Sequence, residues 1–168
     1  MSVPAIKSTL DALACFPAQL GDLFGEFARA HWHWRPDSWD GIPSELLDPV
    51  GQLCHVRDIE ALGYHERFAR LLAEEFPVLA AIDGDALVIE LDYAHADPAQ
   101  ALAAFARARG QTCALLAILS PEQLARRGQF DGYGTVTVRG LIHFLASHDQ
   151  QHLAGMQWLL GRIASAPD

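Results

Sequence analysis

The last long stretch of this chain carries a helical apolar stripe that two histidines interrupt. Apolar side chains recur there at alternating steps of three and four residues, the spacing of one face of an α-helix: Leu141, Leu145, Met156, Leu159 and Ile163. His148 and His152 lie on the same stripe, about 40° and one turn apart. Two imidazoles that replace inward-facing apolar groups must find polar partners. The stripe therefore predicts either a metal site or a buried polar network.

Signals at helix ends divide the rest of the chain. Asp48-Pro49 and Asp97-Pro98 each place an N-cap residue before a proline at the first helical position. We predict four amphipathic helices. The first ends before Arg35-Pro36, and the second runs from Asp48 to about Glu75. The third runs from Asp97 to Ser120-Pro121, and the fourth runs from Thr137 to about Ala164. Long connections cover about 32–48 and 76–97, where Ala86 to Leu91 could be a strand or an extended loop, and 128–136 is a turn or small hairpin. The fold class is all-α, a four-helix bundle with long connections, and residues 1–168 form a single domain.

Composition and charge limit the kinds of molecule that the protein is expected to bind. A formal net charge of −9 over 168 residues argues against nucleic acid and favours a small neutral or apolar electrophile over a phosphate-rich polymer. No stretch approaches the ~18 apolar residues of a membrane span, and the first residues do not resemble a signal peptide. Three scattered cysteines do not suggest a disulfide framework or a cysteine metal site. We expect a cytoplasmic protein that does not act on membranes and that could form a homodimer.

A site of two histidines is incomplete, because zinc usually takes at least three protein ligands. The metalloprotease motif HExxH is disfavoured, because Asp149 stands in place of its glutamate and only Asp168 could supply a ligand downstream. The upstream candidates are His31, His33, His55, His65 and His95. His55 is the best choice on spacing, since it shares an inward line with Ile59, Leu62 and Ala69. His143 should face away, because it is about 180° around the helix axis from His152.

Two acidic residues are candidates for catalysis. Asp58 and Asp149 lie close in sequence to the candidate ligands and could act as general bases, or could orient the histidines through hydrogen bonds. We discount Glu60, which points about 140° away from His55. Arg107, Arg109 and Arg139 could hold a substrate carboxylate or a thiol cofactor, but as exposed arginines of a bundle they need no such role. Trp32, Trp34 and Trp39 could line a pocket mouth, although packing of the loop onto the bundle explains them as well.

Three segments give the chain a recognisable family pattern. They are Trp34-Arg35-Pro36 with Trp39, the run 53–60 (LCHVRDIE), and the run 134–141 (GTVTVRGL) that leads into 148–152 (HDQQH). In this order they resemble the DinB-like superfamily of metal-binding four-helix bundle proteins. The resemblance covers nearly the whole chain. One departure is the longer loop after Trp39, where Asp40-Gly41-Ile42-Pro43-Ser44 and a further turn precede the second helix, so family substrates do not transfer to this chain.

The resemblance implies a site and a range of activities. The family places one metal histidine on the second helix and two on the fourth, which correspond here to His55, His148 and His152. Imidazole ligands suit a divalent ion such as Zn or Ni. The family pattern implies a metal-dependent hydrolase, or a transferase that uses a low-molecular-weight thiol, acting on a small molecule. The alternative is a non-catalytic bundle stapled by its metal, acting as a stress-related binding module, and an open coordination position would distinguish the two.

Overall fold

Four long helices form the bundle in the computed structural model, which describes residues 6–166. The predicted four-helix bundle is therefore confirmed. The elements are α1 (Lys7–Phe24), α2 (Pro49–Asp58), a π-helical segment (Ile59–Tyr64), α3 (His65–Ala73), β1 (Val78–Leu79), α4 (Gly84–Glu90), α5 (Pro98–Leu116), α6 (Pro121–Leu124), β2 (Arg127–Phe130), β3 (Gly134–Thr137) and α7 (Val138–Ala164). Short 3-10 turns lie at Arg29–His31 and Tyr93–His95. No helix within 6–166 has the length and apolar character that crossing a membrane requires.

The predicted caps fix the starts of three helices. Asp48 Oδ1 accepts a hydrogen bond of 2.7 Å from the Gly51 amide at the start of α2. Asp97 does the same for α5, and the Thr137 hydroxyl accepts from the Gly140 amide at 2.9 Å at the start of α7. Each bond satisfies an amide that has no partner within its own helix. These local contacts place the two histidines of α7 and the histidine of α2 at defined heights in the bundle.

Two predicted elements differ in the structure. The first helix ends at Phe24, well before Arg35-Pro36. The helical spacing of buried apolar residues continues to Phe27, and this made the helix look longer than it is. Phe27 is buried, but it packs from a turn beyond the helix end. The stretch from Ala86 to Leu91, expected as a strand or extended loop, lies mainly in the short helix α4, whose start is capped by the Asp83 carboxylate accepting from the Ala86 amide.

A small sheet covers one side of the bundle. Strand β2 pairs antiparallel with β3, with Phe130 opposite Gly134, which confirms the predicted hairpin. Gly132 and Gly134 have φ of +81° and +78°, the left-handed region that glycine adopts without strain. Strand β1, from the connection after α3, adds in parallel to β2, with Leu79 opposite Phe130. The sheet therefore brings the 128–136 hairpin next to the helix formed by α2, the π-helical segment and α3.

The π-helical segment changes which side chains the second long helix turns inward. The inward line predicted for His55, Ile59, Leu62 and Ala69 holds for His55 and Ile59, which are buried, but Leu62 is 48% exposed and Ala69 is exposed. A π turn contains one more residue than an α turn, so the helix beyond it is rotated by about one residue step of 100°. As a result, α3 buries Arg67, Phe68 and Leu71 instead.

Candidate metal centre

Four side chains converge at one point between the second long helix, which is formed by α2, the π-helical segment and α3, and the fourth long helix, α7. They belong to Glu45, His55, His148 and His152, and one ligand atom from each lies within 4.8 Å of the other three. His152 Nε2 is 3.1 Å from His148 Nε2 and 3.1 Å from Glu45 Oε2. His55 Nε2 is 3.7 Å from Glu45 Oε1. The structure thus brings together the three histidines that the sequence singles out and adds a carboxylate.

The backbone near each residue explains this convergence. His148 and His152 are one turn apart on α7, and His55 lies in α2, which packs against α7. Glu45 reaches the site from the loop before α2. That loop comes so close to α7 at Gly155 that a Cβ added there would lie 2.0 Å from Ser44 Oγ. The glycine is therefore required for the loop to bring Glu45 to the histidines.

Gln52 connects the loop to a histidine. Its side chain is fully buried, and its Oε1 lies 2.5 Å from Nδ1 of His152. Its amide nitrogen lies 2.9 Å from Ser44 Oγ, 3.1 Å from the Glu45 carbonyl and 3.2 Å from the Leu47 carbonyl. An amide oxygen only accepts, so Nδ1 of His152 carries the proton and its Nε2 offers a lone pair to the cluster. Gln52 thereby sets the tautomer of one candidate ligand and holds the loop that carries another.

Burial keeps the histidines in the form that binds metals. Burial, with a smaller contribution from His152, lowers the pKa of His55 to about 4. Burial and the neighbouring imidazoles hold the pKa of His148 well below its usual value. At neutral pH His55 and His148 are therefore neutral, the protonation state that metal binding requires of a histidine.

These groups fit a divalent cation. Metal–nitrogen bonds of 2.0–2.1 Å in tetrahedral geometry separate the ligand atoms by about 3.3 Å, and the contacts of 3.1 and 3.7 Å bracket that value. With Nδ1 of His152 donating to Gln52, its Nε2 lone pair faces a carboxylate oxygen and another imidazole nitrogen. Lone pairs that face one another repel, and a cation placed among them would satisfy all of them. Three imidazoles and one carboxylate are a donor set that suits Zn, Ni and Cu.

A cavity opens beside the cluster. It has a volume of about 370 Å³, and its walls include Glu45, His55 and His148. The Glu45 side chain is 45% exposed, whereas that of His152 is fully buried. Gly84 closes one side of the His55 ring, since a Cβ there would lie 2.9 Å from its Cε1. The cluster is thus enclosed on the His152 side and accessible to a small molecule on the His55 and His148 side.

The two aspartates proposed as catalytic candidates have other partners. Asp58 accepts hydrogen bonds of 2.7 and 2.6 Å from the Arg57 guanidinium. Asp149 is 2% exposed, and its oxygens lie 2.7 and 2.9 Å from nitrogens of Arg109. Burial raises the pKa of Asp149 to about 7, although the hydrogen bond to Arg109 opposes that shift. Among the contacts of residues 6–166, neither carboxylate has a hydrogen bond to the three histidines.

Arg109 differs from the expectation of an exposed arginine. It is 1% exposed and pairs with Glu60 at 3.0 Å as well as with Asp149. Glu60, discounted as a base, lies in this buried cluster and also accepts a hydrogen bond from Thr112. The arginine lies in the middle of the third long helix and faces the bundle interior, where two carboxylates compensate its charge. Arg109 therefore belongs to the core and not to the surface.

The remaining histidines and tryptophans have positions away from the cluster. His65 Nε2 lies 3.0 Å from the Ala108 carbonyl, His95 contacts Asp92, and His33 contacts Asp48. His143 is exposed, as expected, and contacts Thr9. Asp168 lies outside the described residues. Trp39 stacks on Trp158, and Trp32 packs on Phe24, so these tryptophans hold the loop onto the bundle.

Sequence reasoning missed Glu45 and Gln52. Glu45 lies in the loop that departs from the family pattern, and nothing in its neighbourhood marks it. Gln52 lies one turn before His55, on a helix start that predicts only a cap. A glutamine at that spacing from a candidate ligand is the one available signal, because a metal-binding histidine usually donates its other ring N–H to a hydrogen-bond acceptor.

Comparisons with known proteins agree with this architecture. The family profile of the DinB superfamily matches residues 17–156. The fold is similar to that of YfiT from Bacillus subtilis, which is described as a probable metal-dependent hydrolase with an unusual four-helix bundle topology. The two chains are 21% identical, the TM-score is 0.85, and the alignment covers 98% of this chain and 92% of YfiT. No curated protein matches the chain. The match to the family profile shows that this chain belongs to the DinB superfamily.

Proposed function

We propose that this protein is a metal-dependent hydrolase of a small molecule, with Zn or Ni bound by His55, His148 and His152. The observation that carries the proposal is the juxtaposition of the three histidines with a cavity that reaches two of them. The description of YfiT as a probable metal-dependent hydrolase supports the same reaction class. A metal bound here would make a water molecule more acidic and polarise a substrate carbonyl.

Glu45 is the best candidate for the general base. Its carboxylate lies beside the histidines, borders the cavity and is half-exposed. Glu45 Oε1 or Oε2 would accept the proton of the attacking water, and the buried side of the cluster would exclude other water. Gln52 would hold the loop and so keep Glu45 in place. Asp58 and Asp149 are weaker candidates, because arginines already occupy their carboxylates.

A second candidate function rests on the same residue. If Glu45 is the fourth metal ligand, the shell of three histidines and one carboxylate is closed, as in structural zinc sites. The contact of 3.1 Å between Glu45 and His152 favours this alternative. The protein would then be a metal-stapled bundle that acts as a binding module. The 45% exposure of Glu45 and the cavity beside it favour the enzyme.

Metal analysis tests the ligand set. The purified protein should hold one divalent ion per chain, and the double variant His148→Ala/His152→Ala should hold none, because two of three imidazoles are removed. His65→Ala and His143→Ala are matched controls and should keep full metal content, since their rings lie elsewhere. Full metal content in the double variant would contradict the assignment.

Activity separates the two functions. A screen of esters, amides and electrophiles, with and without low-molecular-weight thiols, should show turnover that chelation removes and added metal restores. Thiol dependence would assign the transferase reaction instead of hydrolysis. Glu45→Gln should keep the metal and lose at least 100-fold in turnover if Glu45 is the base. If Glu45→Gln instead loses metal and thermal stability, and the intact protein turns over no substrate, the structural role holds.

The net charge and the fold suggest which molecules the protein binds. We infer a small-molecule substrate and no role in nucleic-acid or membrane binding, in agreement with the net charge of −9. A cytoplasmic location and a homodimer belong to the same proposal, and light scattering of the purified protein measures the latter directly.

A further inference from the structure

Arg67 is a buried cation that has no carboxylate partner among the residues that the structure describes. It is 6% exposed, its Nη2 donates to the Ala80 carbonyl at 3.2 Å, and its Nε has no hydrogen-bond partner among residues 6–166. Arg57, Arg70 and Arg109 each pair with a carboxylate, but none of the ion pairs within that range includes Arg67. A buried guanidinium without a counter-ion is costly unless other groups compensate it.

The protein compensates this charge only in part. The guanidinium carbon lies 4.5 Å from the ring centre of Phe130 and 5.2 Å from that of Tyr64. Such cation–π contacts stabilise a positive charge, but by less than burying an ion destabilises it. Gly63 leaves the space that the guanidinium needs, since a Cβ there would lie 2.9 Å from Nη1. The side chain is held in place, and its charge remains available to an anion.

The π-helical segment places Arg67 on the same side of the helix as His55. Twelve residues of regular α-helix would separate the two by about 120°, and the extra residue of a π turn removes about 100° of that angle. Side chains on a helix lean toward its N-terminus, so Arg67 leans toward His55. Both residues line the cavity of about 370 Å³, together with His148.

The rest of the cavity limits what can occupy it. Its apolar walls include Ile59, Ile82 and Phe130, and Tyr133 adds a half-exposed ring. Asp83, Asp85 and Asp131 also line it, and Asp83 is already engaged as the cap of α4. These carboxylates repel a molecule of high negative charge. One anionic group on an apolar body matches a single buried guanidinium in such surroundings.

We propose that Arg67 binds the carboxylate of a small, singly charged substrate whose apolar body fills the cavity and whose reactive group lies at the histidine cluster. This substrate class rests on the proposed function, and it replaces the neutral electrophile that the net charge favours. Net charge describes the field around the whole molecule, whereas the cavity places one desolvated guanidinium next to the ligand. A charge-assisted hydrogen bond in such a site is stronger than a neutral one.

Binding of matched probes tests the proposal without turnover. The probes are benzoate, phenylacetate and 3-phenylpropionate, each paired with its uncharged amide, titrated calorimetrically into the zinc-loaded protein. At least one carboxylate should bind tenfold or more tightly than its amide, and Arg67→Gln should remove that preference, because a charge-assisted hydrogen bond is about twice as strong as a neutral one. Arg70→Gln is the matched control, since Arg70 pairs with Glu74 outside the cavity, and should keep the preference.

Each outcome decides the question. The proposal is wrong if no carboxylate binds more tightly than its amide. It is also wrong if Arg67→Gln keeps the preference, and in that case the metal binds the carboxylate. If circular dichroism shows that Arg67→Gln does not fold, Arg67→Lys replaces it, because lysine keeps the charge but not the forked geometry. An undiminished preference for the carboxylate in Arg67→Lys contradicts the proposal. Because the experiment measures affinity, a protein that binds carboxylates through Arg67 but hydrolyses nothing would overturn the proposed function alone.

Discussion

At the scale of single residues, the candidate metal centre depends on how its ligands are oriented. The side-chain oxygen of Gln52 accepts a hydrogen bond from His152, and its side-chain nitrogen donates to three oxygen atoms of the loop before α2. The two halves of one amide therefore couple a histidine of α7 to the loop that carries Glu45. A metal ligand without such a partner can rotate and change tautomer, which lowers the affinity of the site.

Replacement of Gln52 by leucine should weaken metal binding. We expect Gln52→Leu to lower the affinity for Zn by about 10–100-fold, the usual effect of losing a residue that orients a metal ligand, as measured by competition with a chromophoric chelator. Gln52→Glu keeps the acceptor for His152 but not the donors to the loop, so its loss should be smaller. Gln151→Leu, an exposed change on α7, is the control, and an equal loss in that variant would contradict the role of Gln52.

The residue scale also shows how far spacing alone can reach. The interval of four residues places His148 and His152 on one helix face, and the structure brings them together with His55. Glu45 could not be found in this way, because a loop residue has no periodicity and its position depends on the contact between Ser44 and Gly155. Arg109 was expected on the surface because charge favours exposure, but two buried carboxylates reverse that preference.

At the scale of elements, α7 accommodates the loop before α2 through one glycine. A Cβ at Gly155 would lie 2.0 Å from Ser44 Oγ and 2.8 Å from Ser44 Cβ, so any larger residue displaces the loop. Gly161, six residues further along the same helix, has no neighbouring atom of residues 6–166 within 4 Å of its Cβ position. The two glycines therefore form a matched pair in which only one is required by packing.

Substitution of these two glycines should have opposite effects. Gly155→Ala should lower metal affinity by about tenfold or more, because displacing Ser44 disturbs the Gln52 side chain that orients His152, and should lower the melting temperature. Gly161→Ala should raise stability by about 0.5–1 kcal/mol, since alanine favours the helix and meets no obstacle. Chelator competition and thermal unfolding measure both variants. An unchanged affinity in Gly155→Ala would show that the loop does not position a ligand.

Most helices could be predicted from local signals, and the exceptions have physical causes. Caps and prolines act within one turn, so the starts of α2, α5 and α7 follow from the sequence. The π-helical segment does not, because it is stabilised by packing between distant residues. Glu60 lies in that segment and pairs with Arg109 on α5. Without this contact in view, the inward line through Leu62 and Ala69 was the natural expectation, and it was wrong.

At the scale of the whole molecule, the buried cluster of Glu60, Arg109 and Asp149 connects all four long helices. Arg109 on α5 donates to the Leu13 carbonyl of α1, to Glu60 of the π-helical segment and to Asp149 of α7. His65 and Thr112 extend the network to the start of α3. Asp149 is the neighbour of His148 in sequence, so the network also fixes the part of α7 that carries the candidate ligands.

Removal of Arg109 should destabilise the bundle strongly. Arg109→Met leaves two buried carboxylates uncompensated, which should lower the free energy of unfolding by about 3–5 kcal/mol, measured by urea denaturation. Arg107→Met, an exposed change on the same helix, should alter it by less than about 0.5 kcal/mol. Asp149→Asn should destabilise the fold while each folded molecule keeps its turnover, because Arg109 and not the substrate contacts this carboxylate. A stable Asp149→Asn variant that had lost its turnover would instead make Asp149 the general base and assign the network to catalysis.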